Sequence, residues 1–308
     1  MSWTPDALPS LAGKTFVITG GNSGLGLESM RILAGKGARV VFTSRSEKNA
    51  STAIDDIRRT VPSADVEAVT LDLASLASID AGAEQILGKC PRIDALVNNA
   101  GVMQTPASRT KDGFELQLGT NHLGHFRLDS RLFPRIEASA GRIVAVSSIA
   151  HKLAGIGLDD LFYEKRRYDP TDAYGQSKLA NLLFGLELHR RLVARKSAAI
   201  SIPCHPGYAA TNLQTAGVGM EGGSKLFRAI YAISNRVMAQ SADRGAWSLV
   251  LAAADPSAKA GAYYGPTGFN QLRGPVGESF MTKAAKDETV ARALWEKSEA
   301  LVGPFFPA

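Results

Sequence analysis

Seven short runs of aliphatic and β-branched residues punctuate the chain: TFVITG (15–20), ARVVFTS (38–44), VEAVTLD (66–72), IDALVNNAG (93–101), GRIVAVSS (141–148), AISIPCHPG (199–207) and GAYYGP (261–266). Their apolar residues follow one another with few polar breaks, the pattern of strands covered on both faces. Between them lie stretches with helical spacing, long enough for the crossovers that parallel strands require. The pattern predicts a Rossmann-type, doubly wound α/β fold, a mostly parallel seven-stranded sheet with helices on both faces. No repeat, low-complexity tract or Pro-rich linker divides the chain, so residues 1–308 read as a single domain. The alternation lapses over 208–245, where AGVGMEGG precedes SKLFRAIYAISNRVMAQ, an amphipathic helical pattern carrying Lys225, Arg228 and Arg236. This segment is expected to be a substrate lid, its 224–240 part lining an apolar pocket with Leu226, Phe227, Ile230, Tyr231 and Met238; a plain packing helix and a membrane-surface helix are the other readings.

A chain of 308 residues with 45% hydrophobic content can bury a full core. The net charge of +6 comes from scattered cations, with only short clusters such as Arg166-Arg167 and Arg190-Arg191. That argues against nucleic acid and suits a small phosphorylated ligand drawn into one cleft. Cys90 and Cys204 stand apart without metal-ligand spacing and read as free thiols of a reducing compartment. The opening MSWTPDALPSLAGK lacks signal-peptide features and no apolar run reaches spanning length, so a soluble cytoplasmic protein is expected, with membrane contact at most peripheral. His122, His125 and His205 lack acidic or cysteine companions; they read as structural histidines, and no metal site is expected.

The first predicted strand runs into TGGNSGLG and then into a helical pattern. Gly20, Asn22, Ser23, Gly24, Leu25 and Gly26 thus occupy the strand-to-helix turn, where backbone N–H groups and the helix dipole receive a pyrophosphate. At the end of the second strand a site selective for NAD would offer a carboxylate to the adenosine ribose. Here stand Ser44 and Arg45. A guanidinium suits a 2′-phosphate, which makes NADP(H) the expected cofactor. Asp72, followed by Leu73, is a candidate for the adenine or else a helix cap.

Asn99, Ala100 and Gly101 close the fourth strand with small residues that suit a chain edge beside a ligand. Asn121 sits in a helical stretch where an amide needs partners, and could hold a water or kink the helix. The fifth strand ends in Ser147 and Ser148, of which alternation lets one face the cleft; Ser148 is the choice. A serine hydrolase using Ser148 and His151 lacks the GxSxG elbow. In DAYGQSKLANLLF, an amphipathic helical pattern, Tyr174 and Lys178 share a face, which packing, a surface contact or joint chemistry would explain.

TGGNSGLG, NNAG, NHLGHF, VSSIAH, YGQSK and HPGYAATNL resemble, in order and position, the motifs of short-chain dehydrogenases/reductases. AYGQSKLANLLF, the long interval between Ser148 and Tyr174 and the tail ARALWEKSEALVG resemble the branch with retinol dehydrogenases and protochlorophyllide reductases, without the membrane anchor common among the former. The resemblance implies a catalytic tetrad of Asn121, Ser148, Tyr174 and Lys178. Lys178 would stabilise the phenolate of Tyr174, where a shift of two or three units amounts to roughly 3–4 kcal/mol, and would hold the nicotinamide ribose. Ser148 would hydrogen-bond the substrate oxygen, Tyr174 would donate the proton, and Asn121 would hold a water for its replenishment. Tyr174, Lys178, Pro206, Gly207 and Thr211 would join the cofactor site. The implied activity is NADPH-dependent reduction of a lipophilic ketone or aldehyde, or the reverse alcohol oxidation, by a monomer or homodimer. Reduction of a carbon–carbon double bond and a non-catalytic dinucleotide sensor are the alternatives.

Overall fold

The computed structural model describes residues 3–208 and 240–306. Strands β1 (Thr15–Ile18), β2 (Arg39–Ser44), β3 (Val66–Thr70), β4 (Ala95–Asn98), β5 (Arg142–Ala145) and β6 (Ile200–Ser201) form one parallel sheet in the order β3-β2-β1-β4-β5-β6. The order reverses between β1 and β4, so a crevice opens at their carboxyl ends, where open α/β sheets bind ligands.

Every residue of β1 is buried. Its pleat sends Phe16 and Ile18 to one face, with Val40 and Phe42 of β2, and Val17 to the other, with Val41. Helices α1 (Gly24–Gly35), α2 (Glu47–Thr60) and α6 (Ala242–Ala254) cover the first face; α3 (Leu76–Lys89), α4 (Gly124–Ala138) and α7 (Glu288–Val302) cover the second. Burial on both faces is the reason the strands read as unbroken apolar runs. None of the described helices is long and apolar enough to cross a membrane.

The expected seventh strand is a correction. The sheet has six strands, and β7 (Tyr264–Pro266) pairs antiparallel with β8 (Val276–Glu278) in a separate two-stranded sheet. The segment does reach the sixth strand, where His205 N–H donates to Tyr264 O at 2.8 Å and Tyr264 N–H to Pro203 O at 3.1 Å. Pro203 and Pro206 have no N–H to extend that contact into a ladder.

Helix α5 (Pro170–Ala194) starts at Asp169, whose carboxylate accepts from the N–H groups of Thr171 and Asp172 at 2.8 Å, with Pro170 in the first turn. Residues 173–188 are buried without interruption, so the amphipathic reading of 172–184 is also corrected. This helix is wedged between the sheet, α7 and the turn after β5, and has no wet side over that length. Most of the expected lid falls on residues 209–239 and lies outside the described residues, as do Thr211, Lys225, Leu226, Phe227, Arg228, Ile230, Tyr231, Arg236 and Met238.

Candidate active site

At the end of β1 the chain turns through Gly20 and Gly24, both in the left-handed region with φ +67° and +55°. A Cβ on Gly20 would lie 2.9 Å from Ala100 Cβ, so the turn passes too close to the end of β4 for a side chain. Gly26 lies beneath it, where a Cβ would strike the Gly20 carbonyl and the Asn99 amide. Ser23 takes the N-cap position of α1 in an extended conformation but makes no side-chain cap bond. The first N–H groups of α1 are thus left open toward the crevice, together with the positive end of the helix dipole.

The crevice is lined by Gly20, Asn22, Ser23, Gly24, Leu25, Ser44, Arg45, Asp72, Leu73, Asn99, Ala100 and Gly101, all expected from the sequence. Thr43, Leu71, Val102 and Thr120 line it as well and were not anticipated. Each directly adjoins a predicted site residue (Ser44, Asp72, Gly101 and Asn121), and that adjacency was the available signal. Arg45 is exposed and pairs with no carboxylate among the described residues. Ser44 turns its hydroxyl into the loop, donating to Ser46 O at 3.0 Å. Asp72 accepts from Ala74 N–H at 3.0 Å through Oδ1, while the cap of α3 is Ser75. An open helix terminus, a glycine turn shaped by close backbone approach and an unpaired guanidinium fit a phosphorylated dinucleotide.

Pro206 and Gly207 do not line this crevice. Gly207, at φ +72°, packs so closely on the 266–272 segment that a Cβ would lie 2.7 Å from Pro266 Cγ. Gly26, Tyr174 and Lys178 also stand back from its lining. The position of a Cβ on Gly101 would be 3.6 Å from Lys178 Nζ and 2.9 Å from Asn121 Oδ1, which puts the ammonium just behind the Gly101 edge.

The reacting end is built from the buried side chains of Tyr174 and Lys178 and the half-buried Ser148. Lys178 Nζ donates to Val146 O at 3.2 Å and lies 5.8 Å from the centre of the Tyr174 ring. Ser147 faces inward and donates to Lys178 O at 2.7 Å, leaving Ser148 as the serine that interacts with Tyr174. Burial lowers Lys178 to about 8 and raises Tyr174 to about 12, the Ser148 hydroxyl opposing the latter. Burial thus outweighs the depression of the phenol expected from the neighbouring lysine. Both groups have been taken out of water, and the ammonium is turned to a carbonyl instead of the phenol oxygen.

Asn121 lies in a π turn, Gly119–Leu123, between a short helical turn at Leu116–Leu118 and α4. Its Oδ1 accepts from Val102 N–H at 2.7 Å, and its Nδ2 donates to Val102 O and Ser177 Oγ, both at 2.9 Å. The amide therefore braces the crevice edge by bonding backbone groups from within a distorted helix, one of the two roles expected of it. His122 Nε2 meets Ser298 Oγ at 2.9 Å, and His205 Nδ1 accepts from Gly207 N–H at 3.1 Å. No three His, Cys, Asp or Glu side chains converge as metal ligands among the described residues. Cys90 and Cys204 are buried free thiols in opposite cores.

Comparison with known proteins joins these features to a family. The profile of the short chain dehydrogenases matches residues 14–218. The chain is 40% identical to human retinol dehydrogenase 13 over 304 residues, spanning 97% of this chain and 88% of that protein. It is 34% identical to mouse polyprenol dehydrogenase over 304 residues, 97% of this chain and 87% of the other. A crystal structure of an uncharacterized protein from Mycobacterium paratuberculosis superposes with a TM-score of 0.82 at 40% identity, covering 100% of both chains.

Proposed function

The chain belongs to the short-chain dehydrogenase family, and from that premise we propose that it reduces a lipophilic ketone or aldehyde with NADPH, or oxidises the corresponding alcohol, with Tyr174 as general acid/base. The observation that carries this reading is the buried Tyr174 beside Ser148 and one helical turn from the buried Lys178, whose ammonium lies behind the Gly101 edge of a crevice suited to a dinucleotide. The names of the relatives, retinol and polyprenol dehydrogenases, support a lipophilic substrate.

Bound there, the dinucleotide would supply or accept the hydride. The open N–H groups of α1 would face its pyrophosphate, Arg45 its 2′-phosphate, and Asp72 and Leu73 its adenine end. Raised to about 12, Tyr174 keeps its proton at neutral pH, the state needed for donation to an oxygen that becomes alkoxide. Ser148 would donate to that oxygen, a bond that strengthens as its charge grows. Lys178, at about 8, remains mostly ammonium at neutral pH and adds positive potential at the same place.

The test is a panel of ketones, aldehydes and conjugated enones assayed with NADPH and NADH side by side. Turnover of lipophilic carbonyls with preference for NADPH is expected. Preference for NADH would remove the role of Arg45, and turnover confined to the enone double bond would move protonation from oxygen to carbon. Failure to bind either nucleotide would overturn the reading.

A further inference from the structure

Thr19, the residue before the first glycine of the cradle, is fully buried. Its hydroxyl accepts from Ala100 N–H at 3.0 Å and lies 2.8 Å from His125 Nε2. The other ring nitrogen, Nδ1, lies 2.9 Å from the main-chain carbonyl of Asn121. A carbonyl can only accept, so Nδ1 carries hydrogen. Burial depresses His125 to about 4, which keeps the ring neutral and leaves Nε2 with a lone pair. The Thr19 proton therefore points to His125, in preference to Val97 O at 3.3 Å.

These bonds close a circuit. Ala100 is two residues from Val102, whose N–H and carbonyl are both held by the Asn121 side chain, and the Asn121 carbonyl returns to His125. The circuit crosses three segments distant in sequence: the end of β1, the crevice edge after β4 and the π turn. In that turn the i→i+4 ladder is interrupted, and the imidazole supplies a donor to one of its carbonyls. A residue serving only to fill the core would not need both ring nitrogens matched to groups on different elements.

We propose that His125 is a positioning residue: clamped between the Thr19 hydroxyl and the Asn121 carbonyl, it locks the phosphate cradle to the π turn, so that seating of the dinucleotide and the setting of the reacting end depend on one contact. The proposal rests on the nicotinamide-dependent reading above. It assigns a role to a histidine that sequence reasoning treated as structural.

The test uses the full chain as His125→Phe, Thr19→Val, Thr19→Ser and the His125→Phe/Thr19→Val double variant, with folding checked by near-ultraviolet circular dichroism. Fluorescence titration with NADPH should show about 10-fold weaker binding for each of the first two, with a parallel fall in kcat. The double variant should be little worse than either single change, because both open one circuit, while Thr19→Ser, which keeps the hydroxyl, should stay within about 2-fold. A core-filling histidine would lower Tm and leave NADPH affinity and kcat of the folded protein unchanged; that result, or additive losses in the double variant, overturns the proposal. If His125→Phe does not fold, the Thr19→Ser and Thr19→Val pair decides, and equal NADPH affinity in the two overturns it. If wild type binds neither nucleotide, the functional reading fails by itself. Urea unfolding of nucleotide-free wild type, His125→Phe, Thr19→Val and the double variant then decides the circuit: coupling between the two sites supports it and additivity overturns it.

Discussion

The two ends of the crevice are made of different materials. The cradle after β1 is backbone: two glycines at positive φ, the uncapped start of α1, and one exposed cation, Arg45. The reacting end is side chains withdrawn from water, with Tyr174 8% and Lys178 3% exposed. A backbone cradle binds through the direction of its N–H groups and is little affected by the titration of neighbours. A buried cluster takes its chemistry from desolvation, which has moved the phenol and the ammonium toward their neutral forms. Binding and proton chemistry should accordingly respond to different perturbations.

The largest separation is expected for Tyr174→Phe. Removing the hydroxyl should lower turnover of a carbonyl substrate about 10³-fold, the middle of the range for a positioned acid, while NADPH affinity stays within about 2-fold. Steady-state rates and fluorescence titration of one preparation measure both. A matching fall in affinity would show that the phenol also holds the nucleotide.

Arg45→Ala perturbs the other end. Loss of a charge-assisted contact to a 2′-phosphate should raise the NADPH dissociation constant about 10- to 100-fold, leave NADH unchanged, and spare kcat at saturating nucleotide. Equal weakening of both nucleotides would place the guanidinium on the pyrophosphate instead of the adenosine ribose.

How much of each region was legible follows from the same contrast. Gly20, Gly24 and Gly26 could be read from the chain because steric exclusion acts through spacing, and each is closely approached or turned as spacing demands. Tyr174 and Lys178 could be read as a pair, but not their titration, since burial arrives from α7 and the turn after β5, distant in sequence. Asn121 was legible as an amide needing partners; Val102 and Ser177 as those partners were not. The six-strand count was hidden by β7, whose residues have strand character but whose neighbour is interrupted by Pro203.

The buried ammonium gives a smaller, pH-dependent effect. With Lys178 at about 8 and Tyr174 at about 12, the lysine loses its proton first as pH rises. The kcat/KM for carbonyl reduction should fall above pH about 8, approaching 10-fold per unit. In Lys178→Arg a guanidinium that holds its charge should move this basic limb above pH ~10, whatever the loss in absolute rate. A limb that stays near 8 in the variant would assign it to another group.

The smallest effect concerns the seam between the two regions, where Asn98 at the end of β4 donates to Asp129 Oδ2 at 2.7 Å. Asp129 Oδ1 and Asn98 Oδ1 are both buried with no partner among the described residues, and burial raises the Asp129 carboxyl well above its ordinary value. A carboxyl raised in the folded state stabilises fully below its unfolded pKa near 4, and that contribution disappears as pH rises toward its folded value. Asp129→Asn keeps the acceptor for Asn98 Nδ2, adds an N–H that can reach Asn98 Oδ1, and carries no charge to desolvate. Urea unfolding at pH 8 should therefore find the variant more stable by about 1–2 kcal/mol, with the gain shrinking toward pH 4. Because neither atom touches the crevice lining, NADPH affinity should not change. A destabilised variant would mean that Asp129 is ionised in the folded chain and held by a partner that an amide cannot satisfy.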